Sequence, residues 1–317
     1  MFDVAQEVLE AETRIRPYVR KTPVELSPII GRKFSARVSL KLETSQITGS
    51  FKLRGAMNKL LSLTPAQRSR GVVAASSGNH GVAVAHGAKT LGCPGVVFVP
   101  EDASATKVMA IQSLGAEVRQ EGNDCVVSEA LARRHAEEHD MAYVSPYNDP
   151  KTIGGQGTIG VELSRQLVGI DTVYVALGGG GLISGIAGYL KSLYEHLEVV
   201  ACSPENSPVM HESVRAGKIL DLESQPTLSD GTAGGVEKGA VTFELCRELV
   251  DRYILISEAE IRDAMRLIIG RHHVLVEGAA AVPVAGFLRE EGLNLGKNVA
   301  IVLCGANVSL NTLRTIL

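Results

Sequence analysis

The feature that most constrains this chain is a repeated alternation of short apolar runs with helical patterns. The runs are rich in β-branched residues and pair with helices in order: 72–75 with 81–91, 95–99 with 106–114, 172–177 with 182–194, and 198–202 with 209–216. A last run covers 299–303. A strand that is apolar on both faces must be covered on both, and the intervening helices supply the cover, so the pattern predicts an α/β fold built on parallel sheet. The turn cluster Ser145-Pro146-Tyr147-Asn148-Asp149-Pro150 falls between two blocks of these units and marks a domain seam. A chain of 317 residues suits two compact units at roughly 150 residues each.

Charge and hydropathy exclude several classes of function. Lys and Arg number 32 against 35 Asp and Glu, a formal charge of −3, which offers no basic surface to nucleic acid or to an anionic membrane. The longest apolar stretches, 299–304 and 274–288 with Glu277 inside it, stop short of the roughly 18 residues a membrane span requires. The acidic, amphipathic start lacks a secretory pattern, so a cytoplasmic location is expected. Cys93, Cys125, Cys202, Cys246 and Cys304 are scattered and never in a C-x-x-C pair; they read as free thiols, not as a disulfide framework or a zinc ribbon. Glycine is enriched, with 33 residues clustering at 154–160, 178–181 and 231–235. Function is sought in those clusters.

Gly178, Gly179, Gly180 and Gly181 follow one strand run directly and precede a helix. Four residues without Cβ let backbone N–H groups converge on an anion, and the helix N-terminus adds its dipole, so a phosphate cup is favoured over a plain flexible turn. Gly155-Gln156-Gly157-Thr158-Ile159-Gly160 matches G-x-G-x-x-G but lacks the preceding strand that dinucleotide binding requires. In Ser50-Phe51-Lys52-Leu53-Arg54-Gly55-Ala56, Ser50 is expected to cap a helix whose apolar stripe is Leu53, Met57, Leu60 and Leu61, leaving Lys52 in its first turn. The positive end of the helix dipole would depress that lysine's pKa and favour the neutral amine that attacks aldehydes. By spacing alone a solvated surface lysine remains the stronger reading. Ser76-Ser77-Gly78-Asn79-His80-Gly81 also joins a strand to a helix; it would hold a substrate carboxylate, or serve as ordinary turn chemistry.

Together, in this order, these three loops resemble the fold-type II pyridoxal 5′-phosphate enzymes, in particular the threonine/serine dehydratase and serine racemase group. The resemblance runs from Arg16-Pro17-Tyr18 through Thr22-Pro23-Val24 to the C-terminus. It implies two open, mainly parallel twisted sheets with helices on both faces, in the manner of the tryptophan synthase β chain. Residues 1–68 with 146–317 would form a large cofactor domain and 69–145 a small one. It further implies that Lys52 holds the cofactor aldehyde with Phe51 beside it, that Asn79 hydrogen-bonds the pyridoxal 3′-oxygen, and that the four glycines grip the phosphate. The turn Ser76, Ser77, Gly78, Asn79 and His80 would bind substrate. Cys304 falls where the family places Ser, Thr or Cys beside the pyridine nitrogen. A thiol is no anion, so the ring would stay a modest electron sink suited to rapid loss of a β-substituent. Read by itself, Cys304 is a small buried residue at a strand end.

The resemblance implies elimination of water from a 3-hydroxy amino acid to give a 2-oxo acid and ammonia, with racemisation as the competitor. Ser77 stands where the racemases carry their second acid/base residue. Against racemisation, Ser203 and Val209 occupy positions at which the racemases carry metal-binding acids, and Ser128 falls where they carry an arginine. No metal is therefore expected. A small amino-acid substrate, such as a hydroxyaspartate, a phenylserine or a hydroxyectoine breakdown product, and a homodimer are expected. With Leu317 directly after the Cys304 segment, a C-terminal regulatory domain is not. A phosphate-ligand binding protein on the same fold is the non-enzymatic alternative. His135-Ala136-Glu137-Glu138-His139 matches an inverted zinc-protease pattern but reads as a solvated helix face. Ser104-Ala105-Thr106-Lys107 is too short a pattern to carry chemistry, and His272-His273 reads as structural.

Overall fold

The computed structural model describes residues 2–122, 125–290 and 297–317, and of Lys33, Cys125 and Val126 the backbone alone. Its strands are β1 (Val24–Leu26), β2 (Arg37–Leu42), β3 (Val72–Ala75), β4 (Gly95–Val99), β5 (Glu117–Gln120), β6 (Ala142–Tyr143), β7 (Thr172–Ala176), β8 (Glu198–Pro204), β9 (Arg252–Ile256) and β10 (Asn298–Leu303). They form two sheets. One runs β1-β2-β10-β7-β8-β9 and is parallel except where the edge strand β1 meets β2; the other runs β5-β4-β3-β6 and is parallel throughout. The expected class, α/β with two mainly parallel sheets covered by helices, is what the chain adopts. The strands at the sheet centres are apolar on both faces: all of β7, and β10 from Val299 onward, are buried, as a sheet sandwiched between helices requires.

The glycine cluster at 154–160 lies inside the helix Pro150–Gln166. Its glycines serve helix crossings. A Cβ on Gly155 would stand 2.5 Å from the Arg54 carbonyl oxygen, and one on Gly157 would stand 2.7 Å from that of Gly185. The helix Pro150–Gln166 can therefore lie backbone to backbone against the helices Lys52–Ser62 and Gly181–Leu193, the two that open at Lys52 and at the four glycines.

Beneath these crossings sits a buried charge network. Arg54 donates to both oxygens of Glu43 at 2.8 Å and to Glu162 at 2.8 and 3.0 Å; Lys41 donates to Glu162 at 2.6 Å, to Gln166 and to the Thr22 carbonyl. Burial by itself would raise the Glu162 pKa, but the charges and hydrogen bonds of Arg54 and Lys41 outweigh it and bring it down to about 2.

One expectation needs correction. The segment 135–139 is a solvated face only in part: Glu137, Glu138 and His139 are exposed, but the helix Cys125–Glu138 also has a buried side. His135 and Ala136 are buried, and the His135 ring lies 5.5 Å from Phe98, because this helix covers β3 and β4. Its Nδ1 meets Arg119 and its ring stacks on His139 at 4.0 Å; among the described residues no three His, Cys, Asp or Glu side chains converge as a metal site. His272, read as structural, meets Ser27 Oγ at 3.1 Å and has Glu25 near it in space. Cys93, Cys202, Cys246 and Cys304 are buried free thiols, while the Cys125 side chain lies outside the described residues.

Candidate active site

The site is assembled where the helix Lys52–Ser62 begins. Phe51 N–H donates to the Cys304 carbonyl at 3.0 Å and Ser50 bridges Gly305, so the end of β10 dictates where that helix starts. Phe51 itself is the N-cap residue. Ser50 does not cap the helix, contrary to expectation: the bridge to Gly305 commits it to extended backbone, and its hydroxyl is buried without a hydrogen-bond partner.

Lys52 Nζ donates to the Pro146 carbonyl at 3.0 Å and lies 5.2 Å from the Phe51 ring centroid. Its ammonium end is enclosed, and burial lowers its pKa to about 8 against the opposing influence of Cys304 and Glu277. The direction agrees with the sequence reading, but desolvation is the leading cause rather than the helix terminus. Tyr147, one residue beyond the carbonyl that holds Lys52, packs on the glycine turn: a Cβ on Gly179 would stand 2.4 Å from its ring, and one on Gly181 2.9 Å from its Cα. Lys52 and the four glycines, more than a hundred positions apart in sequence, thus meet across two consecutive residues.

The glycine turn has the form of a cradle. Gly180 sits at φ +85 and caps the helix Gly181–Leu193, a conformation and a close approach that only glycine permits. A Cβ on Gly178 would stand 2.7 Å from the Thr232 carbonyl oxygen, and one on Gly180 would meet Cys246 Sγ and Thr242 Cβ. Thr242 Oγ1 is buried there with no hydrogen-bond partner, which in a native interior calls for a polar ligand. A turn without Cβ atoms, a helix N-terminus and an orphaned hydroxyl fit a phosphate, and an enclosed lysine of depressed pKa fits an aldehyde. The residues present therefore suit a phosphorylated aldehyde.

Opposite the cradle, Asn79 opens the helix Asn79–Leu91 with Gly78 as its N-cap residue, and Ser76 Oγ accepts the Gly78 N–H at 3.1 Å. A Cβ on Gly81 would stand 2.1 Å from the Ser76 carbonyl oxygen, so the turn closes tightly on itself. Ser76 and Ser77 are partly exposed on it. His80 is buried, with Nε2 on the Val144 carbonyl at 2.7 Å. Burial, reinforced by the charge of Lys52, lowers its pKa to about 3 and keeps the ring neutral.

The sequence reading missed a buried carboxyl group of the site. Glu277 accepts Asn79 Nδ2 at 2.8 and 3.1 Å and the Asn307 N–H at 3.0 Å, and a Cβ on Gly305 would stand 2.5 Å from Oε1. Asn79 Oδ1 in turn accepts Asn307 Nδ2 at 2.6 Å, so its amide orientation is determined on both sides. Burial raises the Glu277 pKa to about 7, with Asp230 adding to the rise and Asn79, Asn307 and Lys52 opposing it. The signal was a lone carboxylate inside the apolar run 274–288. Tyr147, Thr232 and Thr242 were also missed. They carry no motif and reach the glycines only through folding.

An enclosed lysine beside a glycine turn on an α/β fold suits an enzyme that uses a phosphorylated aldehyde. Residues 15–305 match the family model described as pyridoxal-phosphate dependent enzyme, and the chain belongs to that family. It is 39% identical over 313 residues to the L-threonine ammonia-lyase of Thermotoga maritima, covering 98% of this chain and 77% of that one. It is 38% identical over 311 residues to the L-threo-3-hydroxyaspartate ammonia-lyase of Saccharomyces cerevisiae, covering 98% and 95%. Its structure superimposes on maize serine racemase with a TM-score of 0.93 at 35% identity, covering 98% and 95%. The chain is a pyridoxal-phosphate-dependent lyase of the ammonia-lyase group, and the racemase likeness fits the alternative already weighed.

Proposed function

We propose that this enzyme eliminates water from a 3-hydroxy amino acid of the threonine or serine type, releasing a 2-oxo acid and ammonia. The observation that carries this reading is the enclosed Lys52 amine, lowered to about 8, meeting the glycine cradle across Pro146 and Tyr147. The bound cofactor supplies an electron sink that acidifies the substrate α-hydrogen. Lys52 Nζ in its neutral form, which its lowered pKa favours, accepts the Cα proton, and the departing hydroxide takes up a proton and leaves as water. The turn at Ser76, Ser77 and Gly78 holds the substrate carboxylate; the Ser76 N–H donates to the Phe98 carbonyl and the Gly78 N–H to Ser76 Oγ, so the Ser77 N–H and hydroxyl are the donors assigned to it. Asn79, oriented by Glu277 and Asn307, hydrogen-bonds the cofactor's ring oxygen, and Phe51 and Cys304 line the ring. Gly178, Gly179, Gly180 and Gly181 hold the phosphate. Neutral His80 adds no charge beside the amine.

Racemisation is the second reading, favoured by the Ser77 hydroxyl on the substrate turn and by the likeness to maize serine racemase. Incubating holoenzyme with L-threonine, L-serine and L-threo-3-hydroxyaspartate decides between them. Ammonia and 2-oxo acid in equal amounts are expected. Accumulation of the D-isomer without ammonia would select the racemase, and conversion of hydroxyaspartate alone would overturn the threonine- or serine-type substrate.

The division into a unit of 1–68 with 146–317 and a unit of 69–145 belongs to the same proposal; limited proteolysis should cut first near 68 and 146. So do a homodimer and a cytoplasmic location. The exposed Leu26, Ile29 and Leu275 supply an apolar surface for a second copy, and no described helix is long and apolar enough to cross a membrane. Light scattering of the purified protein reads the mass directly.

A further inference from the structure

A chain of contacts leads from the outer surface of the helix Cys125–Glu138 to the back of the glycine cradle, and no motif announces it. Arg133 lies 4.2 Å over the Tyr143 ring of β6 and forms an ion pair with Glu237 at 2.9 Å. The other oxygen of Glu237 accepts Asn148 Nδ2 at 2.8 Å, and its backbone N–H donates to the Tyr147 hydroxyl at 2.8 Å. Asn148 Oδ1 accepts the Val241 N–H at 2.9 Å. Tyr147 is the ring that abuts Gly179, and Val241 begins the helix that carries Thr242 and Cys246 to Gly180. Glu237 therefore ties three things together: a helix of the four-stranded sheet, the pair Tyr147-Asn148, and the loop before the helix Val241–Leu249. That loop holds Thr232 against Gly178, and a Cβ on Gly231 would stand 3.5 Å from Glu277 Oε1.

We propose that Glu237 is a positioning residue of the cofactor site, clamped by Arg133, which holds Tyr147 and the 229–240 loop against the glycine turn and so sets how long the phosphorylated cofactor is retained. The proposal rests on the reading that the four glycines grip the phosphate. The tie spans the two sheets. Glu237 is bound from both: Arg133 comes from the four-stranded side, and Tyr147 and Asn148 come from the connection to the other. A hydrogen bond to a charged group in a partly enclosed place is strong enough to bias a loop, and several sharing one carboxylate act as a unit.

The test is cofactor retention. Holoenzyme is diluted into phosphatase, which destroys free cofactor, and the loss of its visible absorbance is followed. Glu237→Ala is expected to release cofactor about tenfold faster, and Arg133→Ala, which leaves the Asn148 and Tyr147 bonds in place, about threefold faster. Arg133→Lys should restore most of the retention. The double variant should match Glu237→Ala alone, because both substitutions break one clamp. Release within twofold of the parent in both single variants overturns the proposal, as does a double variant whose effect is the product of the two. A purely structural role would lower the melting temperature of the cofactor-free chain without changing release. Should Glu237→Ala fail to fold, the Arg133→Ala and Arg133→Lys pair decides. Gly179→Val in the same assay tests the underlying reading separately: undiminished retention there sinks the phosphate cradle, whereas undiminished retention in the clamp variants sinks only the clamp.

Discussion

Lys52 and Arg54 stand two residues apart at the start of one helix, both with their charged ends enclosed, and the fold treats them in opposite ways. Arg54 spends its donors on Glu43, Glu162, Thr158, Thr22 and the Arg20 carbonyl, and its pKa is raised, because the neighbouring carboxylates outweigh burial. Lys52 donates to one carbonyl oxygen, and burial pulls its pKa down to about 8. The acids diverge in the same sense: Glu162 falls to about 2 among its cations, while Glu277 rises to about 7 among amides. A buried charge that is fully paired is bound into the structure, whereas one left short of partners is held ready to gain or lose a proton. The comparison assigns Arg54 and Glu162 to stability and Lys52 and Glu277 to chemistry.

The largest effect that would sharpen this contrast is chemical. Lys52→Ala should abolish the visible cofactor band and cut ammonia release by more than about a thousandfold, while the cofactor-free variant melts no lower than the parent. A melting point well below the parent would make Lys52 part of the framework and break the comparison. On the other side, Glu162→Gln leaves Lys41 and Arg54 short of a counter-charge and should cost about 3–5 kcal/mol in urea unfolding. The fraction that remains folded should keep the cofactor band. Loss of the band without loss of stability would reverse the assignment.

Smaller effects appear in pH dependence. Cofactor-free protein should capture pyridoxal phosphate at a rate that rises about tenfold per pH unit and levels off above about 8, where Lys52 is neutral; an ordinary lysine would still be accelerating there. Stability should respond to the two acids with opposite signs. Glu162 is depressed, so its contribution is present above 4.5 and is lost as pH falls toward about 2. Glu277 is raised, so between 4.5 and about 7 the folded state binds the extra proton and stability falls as pH rises. Glu277→Gln should stay within about 1 kcal/mol of the parent at pH 7 and flatten that decline, as read from melting temperatures across the window. An unchanged slope would move the titration to another group.

Much of this architecture was legible before folding. The strand runs and their helices fall within a few residues of where they were expected, with 95–99 and 209–216 matching the elements Gly95–Val99 and Val209–Ala216. A strand buried on both faces needs an unbroken apolar run, and that is local information. The lysine, the serine-rich turn and the four glycines were legible for the same reason: each is a short contiguous segment at a strand or helix boundary. Ser50 as a cap failed because its partner, Gly305, is 255 positions away, and a bridge across that distance overrides a local capping preference. His135 was misread because alternating charges describe a helix surface and not what lies beneath it.

The chain by itself determined the α/β class, the order of its strand–helix units, and the place of the three boundary loops on which the proposed site rests, because each depends on residues adjacent in sequence. Only the tertiary structure decided that Glu277 orients Asn79, that Tyr147 and Thr242 close around the glycines, and that Glu237 joins the two sheets. Those contacts bring together residues from distant segments. The pKa of Lys52 was decided there too, since its leading cause is the water that the assembled walls exclude.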